Sequence, residues 1–370
     1  MRAHQGEQAL DRSPLRPLSA GPAFRFRPRS DGDPARTLYV DGTAPGFRTL
    51  SHWPGNTTPA AVKHDLSTGI ALHVARLSPD ERRGLLGEYD EVANNHYDTD
   101  GALCAFAVLN PEEALRRADL MLDAAATGDF SVWRGEPALA IDLTVMQLTK
   151  GPASPLAGAL RPDMGDDQRH TLAYDWLLAH LGEVLDDPFA LRPLWDERLG
   201  QIVDDVHRIE EGTGVSTRVF ADLDLALVSS DRPITDIGLN LAAGDCSRVL
   251  LVLPSREGYR YRFRYRVESW FELVSRKVPP RPSLQPALAL LDRAEGLGAK
   301  PPAGRAWWCD PPQSPVSELG FGSHERGCSA FDDPTPQDDP PSRLLPSTVV
   351  EALATVWGRG TQAKARVEPR

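Results

Sequence analysis

The sequence has few cysteines and no long apolar run. Four Cys are spread over 370 residues without paired spacing, which excludes a disulfide scaffold and a zinc ribbon. No apolar stretch approaches the roughly 20 residues that a membrane-spanning helix needs. Residues 1–30 contain arginines but no apolar core, so no secretory signal is expected. These absences predict a protein of a reducing compartment, most simply the cytoplasm, with no membrane partner.

Positive charge is also in deficit. Acidic residues number 52 against 41 Lys and Arg, which gives a formal net charge of -11. Such a balance disfavours a broad nucleic-acid surface and a long nucleic-acid partner, but it leaves open a small anionic substrate held through metal ions. The sequence also lacks a nucleophile elbow, a phosphate-binding P-loop and a Rossmann glycine fingerprint.

The pattern of elements predicts an α/β fold. Apolar strands alternate with helices over residues 36–150, which is typical of a layered domain with a largely parallel sheet; within it, Ala138 to Thr144 is interpreted as a buried strand. The full division is a flexible arm at 1–35, an α/β domain at 36–150, a helical connector at 151–212, a mixed α/β accessory domain at 213–331, and a Pro/Asp-rich linker with a short helix at 332–370.

The most informative segment is NNHYDTDG, residues 94–101. His96, Asp98 and Asp100 stand two residues apart, so in an extended strand end they would point to one side. Carboxylates and an imidazole converging beyond a strand suit Mn²⁺ or Mg²⁺. The segment is not an EF-hand calcium loop, because Ala107 occupies the twelfth loop position, where a bidentate Glu is needed. The alternative interpretation is a plain strand-to-helix turn with Asp caps.

A second cluster lies upstream, at predicted element ends. Each of its members can be an ordinary turn or helix cap. Together they would add enough ligands for two metal ions about 3.5–4 Å apart, an arrangement that activates water and binds a phosphoryl group. Ser67, Thr68 and the helix N-terminus behind them could bind a phosphate. The cluster consists of Asp41, His52, His64, Asp65, Ser67 and Thr68.

These segments resemble the DHH phosphoesterase superfamily, which includes RecJ-like exonucleases, nanoRNases and manganese-dependent pyrophosphatases. Residues 96–101 (HYDTDG) are similar to its first metal-binding motif, and residues 37–42 (TLYVDG) to its lone metal-ligating Asp. Residues 50–55 (LSHWPG) are similar to the Asp-His-His segment, with Ser51 and Trp53 in place of the Asp and the second His. Residues 321–328 (FGSHERGC) resemble the substrate-binding loop of the accessory domain. In this chain the order of the first segments is permuted.

The resemblance implies a metal-dependent phosphoesterase acting on a small nucleotide-like substrate through metal-activated water. Asp41, His96, Asp98 and Asp100 would ligate two divalent ions, Mn²⁺ or Mg²⁺. His52, His64 and Asp65 would be further ligands or would orient the ligands. Two alternatives stay open: a non-catalytic binding or scaffold protein that retains a phosphoesterase-like fold, and a single-metal amidohydrolase.

A strand in the second domain carries alternating arginines. Arg260, Arg262, Arg264 and Arg266 share one face of the run from Gly258 to Leu273. The first interpretation is a solvated edge-strand face that discourages edge-to-edge pairing. The second is an anion site, in which Arg305 and His324 would help to bind the phosphate of a substrate.

Overall fold

The first sheet is formed by the strands that precede residue 100. The computed structural model describes residues 22–298, 304–322 and 339–357. Every strand pair in this sheet is parallel, and the spatial order is β1-β4-β2-β3. The carboxyl ends of all its strands therefore lie at one edge, where the loops after β2, β3 and β4 meet. The strands are β1 (Ala23–Phe26), β2 (Thr37–Val40), β3 (Arg48–Leu50) and β4 (Glu91–Asn94).

Helices cover one face of this sheet. Leu38 and Val40 alternate with Tyr39 along β2, so the first two face the helical core while Tyr39 packs with Phe47 on the other side. Among the described residues, no helix is both long and apolar enough to cross a membrane. The helices of this part are α1 (Ser67–Ala75), α2 (Pro79–Leu86), α3 (Thr99–Leu109), α4 (Pro111–Arg116), α5 (Ala118–Phe130), α6 (Glu136–Gln147) and α7 (Asp166–Asp186).

The second sheet is mixed. Its order is β5-β6-β7-β8-β10-β9, and β6 and β7 pair in parallel while the other neighbours are antiparallel. The described elements are α8 (Asp196–Glu210), β5 (Val215–Phe220), β6 (Leu225–Ser230), α9 (Asp236–Ala243), β7 (Arg248–Ser255), β8 (Gly258–Tyr265), α10 (Gln285–Glu295), β9 (Ala306–Cys309), β10 (Glu318–Gly322) and α11 (Pro346–Val356). A parallel first sheet and a mixed second sheet confirm the predicted α/β class.

Both faces of the second sheet are covered. Phe263 and Tyr265 of β8 pack with Leu291 of α10 and Leu353 of α11 in one apolar cluster. The opposite face packs against α9 in another. The short helix predicted within residues 332–370 is thus present as α11, and it forms part of the core of the second sheet.

The helical segment between the sheets belongs to the cores on both sides. Tyr174 and Leu177 of α7 lie in the main core of the first sheet. Leu199 and Ile202 of α8 join α6 and Ile237 of α9 in a separate apolar cluster. Packing of this kind ties the two sheets together through buried side chains.

Two sequence assignments of secondary structure are corrected. Ala23–Phe26 lies within the predicted flexible arm, yet it forms β1 and pairs with β4. Ala138 to Thr144 is not a strand but the middle of α6. A short apolar run does not distinguish a buried strand from a helix that is buried on most sides, and α6 packs against two apolar clusters.

The arginine face of β8 is corrected as well, because β8 is an interior strand. Arg262, Arg264 and Arg266 are buried. Arg264 is paired with Glu318 of β10 at 2.6 Å and with Asp236 of α9 at 2.5 Å. Arg262 also pairs with Glu318, at 3.2 Å. Arg266 pairs with Glu268 at 2.7 Å. Each of these guanidinium groups is thus paired with an internal carboxylate, so they form neither a solvated edge nor an open anion site.

Candidate metal centre

Asp41 follows β2 at the carboxyl edge of the first sheet. Its backbone has a φ of 45°, in the left-handed region that non-glycine residues rarely adopt. Its amide donates to the carbonyl of Leu50 at 2.9 Å, and its Oδ1 accepts the Ser67 hydroxyl at 2.7 Å. These contacts hold the strained conformation, and strain of this kind is often found at functional sites.

His52 follows β3, and its environment defines which ring nitrogen carries the proton. Nδ1 lies 2.5 Å from the carbonyl oxygen of Asp65, which only accepts, so Nδ1 is the donor. In the neutral ring, Nε2 then has a lone pair. This atom lies 3.1 Å from Oδ2 of Asp129, 3.6 Å from Oδ1 of Asp41 and 3.7 Å from Oδ2 of Asp100. It is buried and has no hydrogen-bond partner among the described residues.

Asp100 and Asp129 complete this first set of ligand atoms. Asp100 lies in the first turn of α3, and its two carboxylate oxygens accept the amides of Ser67 and Thr68, each at 2.7 Å. Asp129 is the penultimate residue of α5. Asp41, His52, Asp100 and Asp129 each offer one atom, and these atoms lie within 4.8 Å of one another, so they could hold a metal ion. We call these four residues the inner group.

A second set shares Asp41. Nε2 of His96 lies 2.9 Å from Oδ2 of Asp41 and 2.9 Å from Oδ2 of Asp98. Asp41, His96 and Asp98 also have ligand atoms within 4.8 Å of one another, and we call them the outer group. Oδ1 of Asp41 faces the inner group and Oδ2 faces the outer group, so one carboxylate could bridge two ions.

The segment 94–101 is not the extended strand end that the two-residue spacing predicts. Asp98 caps α3 by accepting the amide of Gly101 at 2.8 Å, and Asp100 already lies in the helix. This turn directs Asp98 to the outer group and Asp100 to the inner group. A Cβ at Gly101 would lie 2.4 Å from Nδ2 of Asn94, so a larger residue here would displace the Asn94 side chain.

Burial and mutual repulsion shift the protonation of these groups. Burial, followed by the charges of Asp98 and Asp100, raises the pKa of Asp41 to about 6. Burial and the neighbouring carboxylates raise the pKa of Asp129 well above its usual range. Burial disfavours a charged His96, but Asp98 and Asp41 outweigh it and raise the pKa of His96. Cations would relieve this repulsion between buried carboxylates.

Asp142 lies behind the site, on α6. It accepts the hydroxyl of Thr99 at 2.5 Å, and Thr99 stands between the two aspartates of α3. Burial raises the pKa of Asp142 from 3.8 to about 6. Since the carboxyl group binds its proton more tightly in the folded chain, its contribution to folding is complete below about pH 4 and is lost as the pH rises through about 6.

Replacing Asp142 by Asn is therefore expected to change the pH dependence of stability. The shift of about two pKa units corresponds to roughly 3 kcal/mol. The free energy of unfolding of D142N minus that of the wild type should therefore rise by about that much as the pH is raised from 4 to 7.5. Urea denaturation of both proteins at pH 4, 6 and 7.5 measures the difference, and a difference that does not vary with pH would contradict the assignment.

The remaining residues that were predicted from the sequence lie as follows. Nδ1 of His64 accepts the amide of Leu66 at 3.1 Å, and His64 is in neither group. Asp65 acts on His52 through its backbone carbonyl. Ser67 and Thr68 direct their amides to Asp100, which occupies the predicted phosphate-binding position at the start of α1. Arg305 is exposed just before β9, and His324 lies outside the described residues.

Sequence reasoning did not single out Asp129. It lies 29 positions after Asp100 on a different helix, so no local spacing connects it to the other ligands. A signal was nevertheless present: a carboxylate stands two positions after the buried run Ala124 to Thr127 of α5. Charged residues are rarely buried without a partner, so an aspartate at that place indicates a site.

Comparison with known proteins identifies one matching family model. The model spans residues 22–368 of the chain, and its description is Family of unknown function (DUF6687). No similar curated protein and no similar solved structure was found.

Proposed function

Since the chain belongs to the DUF6687 family, whose function is unknown, we propose from the chemistry of its inner and outer groups that it is a metal-dependent hydrolase of phosphate esters or anhydrides. A small nucleotide-like substrate fits the net charge of -11, which disfavours long nucleic acids. Mn²⁺ or Mg²⁺ suits the donor set, which consists mainly of carboxylate oxygens with two imidazoles.

One observation carries the proposal. The lone pair of His52 Nε2 faces three carboxylates within 3.7 Å, and Nε2 has no hydrogen-bond partner among the residues described. With His52 neutral and these carboxyl groups ionised, the lone pair is directed at anionic oxygens and is repelled, and a buried polar atom without a partner is costly. A divalent cation between these atoms would remove both penalties. The hydrogen bond from Nδ1 to the Asp65 carbonyl fixes the ring for that role, as is usual for histidine ligands.

The residues of the inner and outer groups and their neighbours would have different roles in the metal centre. Asp41 would join the two cation positions, and the amides of Ser67 and Thr68 would orient Asp100 as a ligand. His96 and Asp98 would form the side of the centre that a substrate can approach, because their side chains are 22% and 12% exposed. Bound cations would supply the Lewis acidity that activates a water and stabilises a phosphoryl group in transfer.

The resemblance to the DHH phosphoesterases supports the same class of activity. Of the residues that carry it, Asp41, His52, His96, Asp98 and Asp100 belong to the inner or the outer group. Ser51, which stands in place of an Asp of that family, accepts the amides of Gly42 and Trp53, each at 3.0 Å. In this chain Ser51 therefore shapes the loop that carries His52.

The replacement of that Asp by Ser51 favours a second candidate, a non-catalytic ligand-binding or scaffold protein. Metal content and turnover separate the candidates. Purified protein supplied with Mn²⁺ should bind close to two equivalents and hydrolyse a generic phosphodiester or a dinucleotide, and chelation should abolish the hydrolysis. Bound metal without turnover on any phosphate ester would favour the second candidate, and less than roughly half an equivalent of metal would exclude the metal centre.

A further inference from the structure

The inner and outer groups differ in their access to solvent. In the inner group, the side chains of His52, Asp41 and Asp100 have no exposed surface, and that of Asp129 is 4% exposed. In the outer group, the side chain of His96 is 22% exposed. A cation in the outer group could therefore exchange through the surface at His96, whereas the described residues leave the inner group no such opening.

A segment of the second half of the chain covers the inner group. We call residues 270–275 the cover segment. The ring of Phe271 stacks on the imidazole of His52, with centroids 3.8 Å apart and an interplanar angle of 17°. The same ring packs against Phe130, next to Asp129, at 5.8 Å. Phe271 thus lies on one of the three inner-group ligands whose side chains have no exposed surface.

Polar contacts on both sides of His52 hold the cover segment in place. The amide of Glu272 donates to the carbonyl of His52 at 2.8 Å. The carboxylate of Glu272 accepts a hydrogen bond from Nδ2 of Asn56 at 2.9 Å and forms a salt bridge with Lys63 at 3.0 Å.

On the other side of His52, the carboxylate of Asp65 accepts the amide of Val274 at 2.6 Å and that of Ser275 at 3.0 Å. To uncover His52, Phe271 must leave an aromatic contact while these hydrogen bonds break. Such coordinated opening is a rare local event, much less frequent than motion at an exposed side chain.

We propose that the cover segment makes the two cation positions kinetically inequivalent. A cation in the inner group exchanges only when the cover segment opens, whereas a cation in the outer group exchanges freely. The inner cation therefore stays bound through many turnovers, and the outer cation can enter or leave with the substrate. This inference rests on the proposed two-cation centre, and it assigns to Phe271 a role in retaining metal that does not involve contact with substrate.

Metal release tests the proposal. The full-length protein is loaded with Mn²⁺, its stoichiometry is measured, and release into excess EDTA is followed over time. The wild type should release one equivalent rapidly and one at least about tenfold more slowly, a ratio that corresponds to about 1.4 kcal/mol. F271L and F271A should accelerate the slow phase severalfold and leave the fast phase unchanged. F189L is the matched control, because Phe189 packs on Trp195, outside the centre, and it should alter neither phase.

The outcomes separate this inference from the proposed function. Two bound equivalents released at one rate would overturn the inference alone, as would Phe271 variants that accelerate both phases or neither. Fewer than two bound equivalents would overturn the inference and the two-cation centre together. If F271A does not fold, F271L and the biphasic release of the wild type still decide between these results.

Discussion

Replacing Asp41 by Asn should remove both cations and reduce phosphoester hydrolysis at least about 10³-fold, because metal ions supply several kcal/mol of transition-state stabilisation. Asp41 belongs to both groups, with one oxygen toward His52 and the other toward His96. An amide has the same shape but lacks the negative charge and offers a single acceptor atom. The bound Mn²⁺ should fall from two equivalents to none when it is measured by elemental analysis after equilibrium dialysis against a fixed Mn²⁺ concentration.

The control for D41N is an aspartate-to-asparagine change on the surface. Asp80 lies in the first turn of α2 with its side chain 93% exposed, so D80N should retain metal and activity. Thermal unfolding of the metal-free proteins shows whether D41N folds. Removing one of several repelling buried carboxylates should not lower its stability. If folded D41N retains either cation, Asp41 does not bridge the two groups.

Replacing Asp129 by Asn should remove the inner cation alone. Asp129 has a ligand atom in the inner group but none in the outer group. We expect the stoichiometry to fall from two equivalents to one and hydrolysis to fall about 10²–10³-fold, since the remaining cation still provides part of the charge stabilisation. Titration with Mn²⁺, followed by elemental analysis and by hydrolysis of the same phosphodiester, measures both effects.

A matched control for D129N lies on the same helix. Asp123 is half exposed, 4.0 Å from Arg134, and D123N should behave as the wild type does. Loss of both cations in D129N would mean that the two positions fill cooperatively, and retention of both would remove Asp129 from the ligand set. Together with D41N, this variant distinguishes a bridging ligand from one that serves a single position.

The sequence predicted the part of the site that depends on local order. Asp41 and Asp98 each follow a strand of a parallel sheet, and the carboxyl ends of such strands meet at one edge. That rule is enough to bring together the loops after β2 and β4. It does not give the path of each side chain, so the turn that sends Asp98 and Asp100 to different groups was missed.

What the sequence could not predict depends on tertiary contacts. Asp129 reaches the site because α5 packs beside α3, and Phe271 reaches it because the second half of the chain folds back over His52. The arginines of β8 alternate as an amphipathic strand does, yet Glu318 and Asp236, from other elements, neutralise Arg264 in the interior. Local periodicity contains no information on these partners, since pairing across the chain decides burial.

The position of β4 in the first sheet has a consequence for the order of folding. β4 lies between β1 and β2 in the sheet but is distant from both in sequence. β1 ends at residue 26 and β2 ends at residue 40, whereas β4 begins at residue 91. Closing loops of this length costs entropy before any contact repays it, so the middle strand should join the sheet late. His96 and Asp98 follow that strand, and the outer group cannot assemble before it. Cations would then act mainly on the finished structure, by slowing its unfolding.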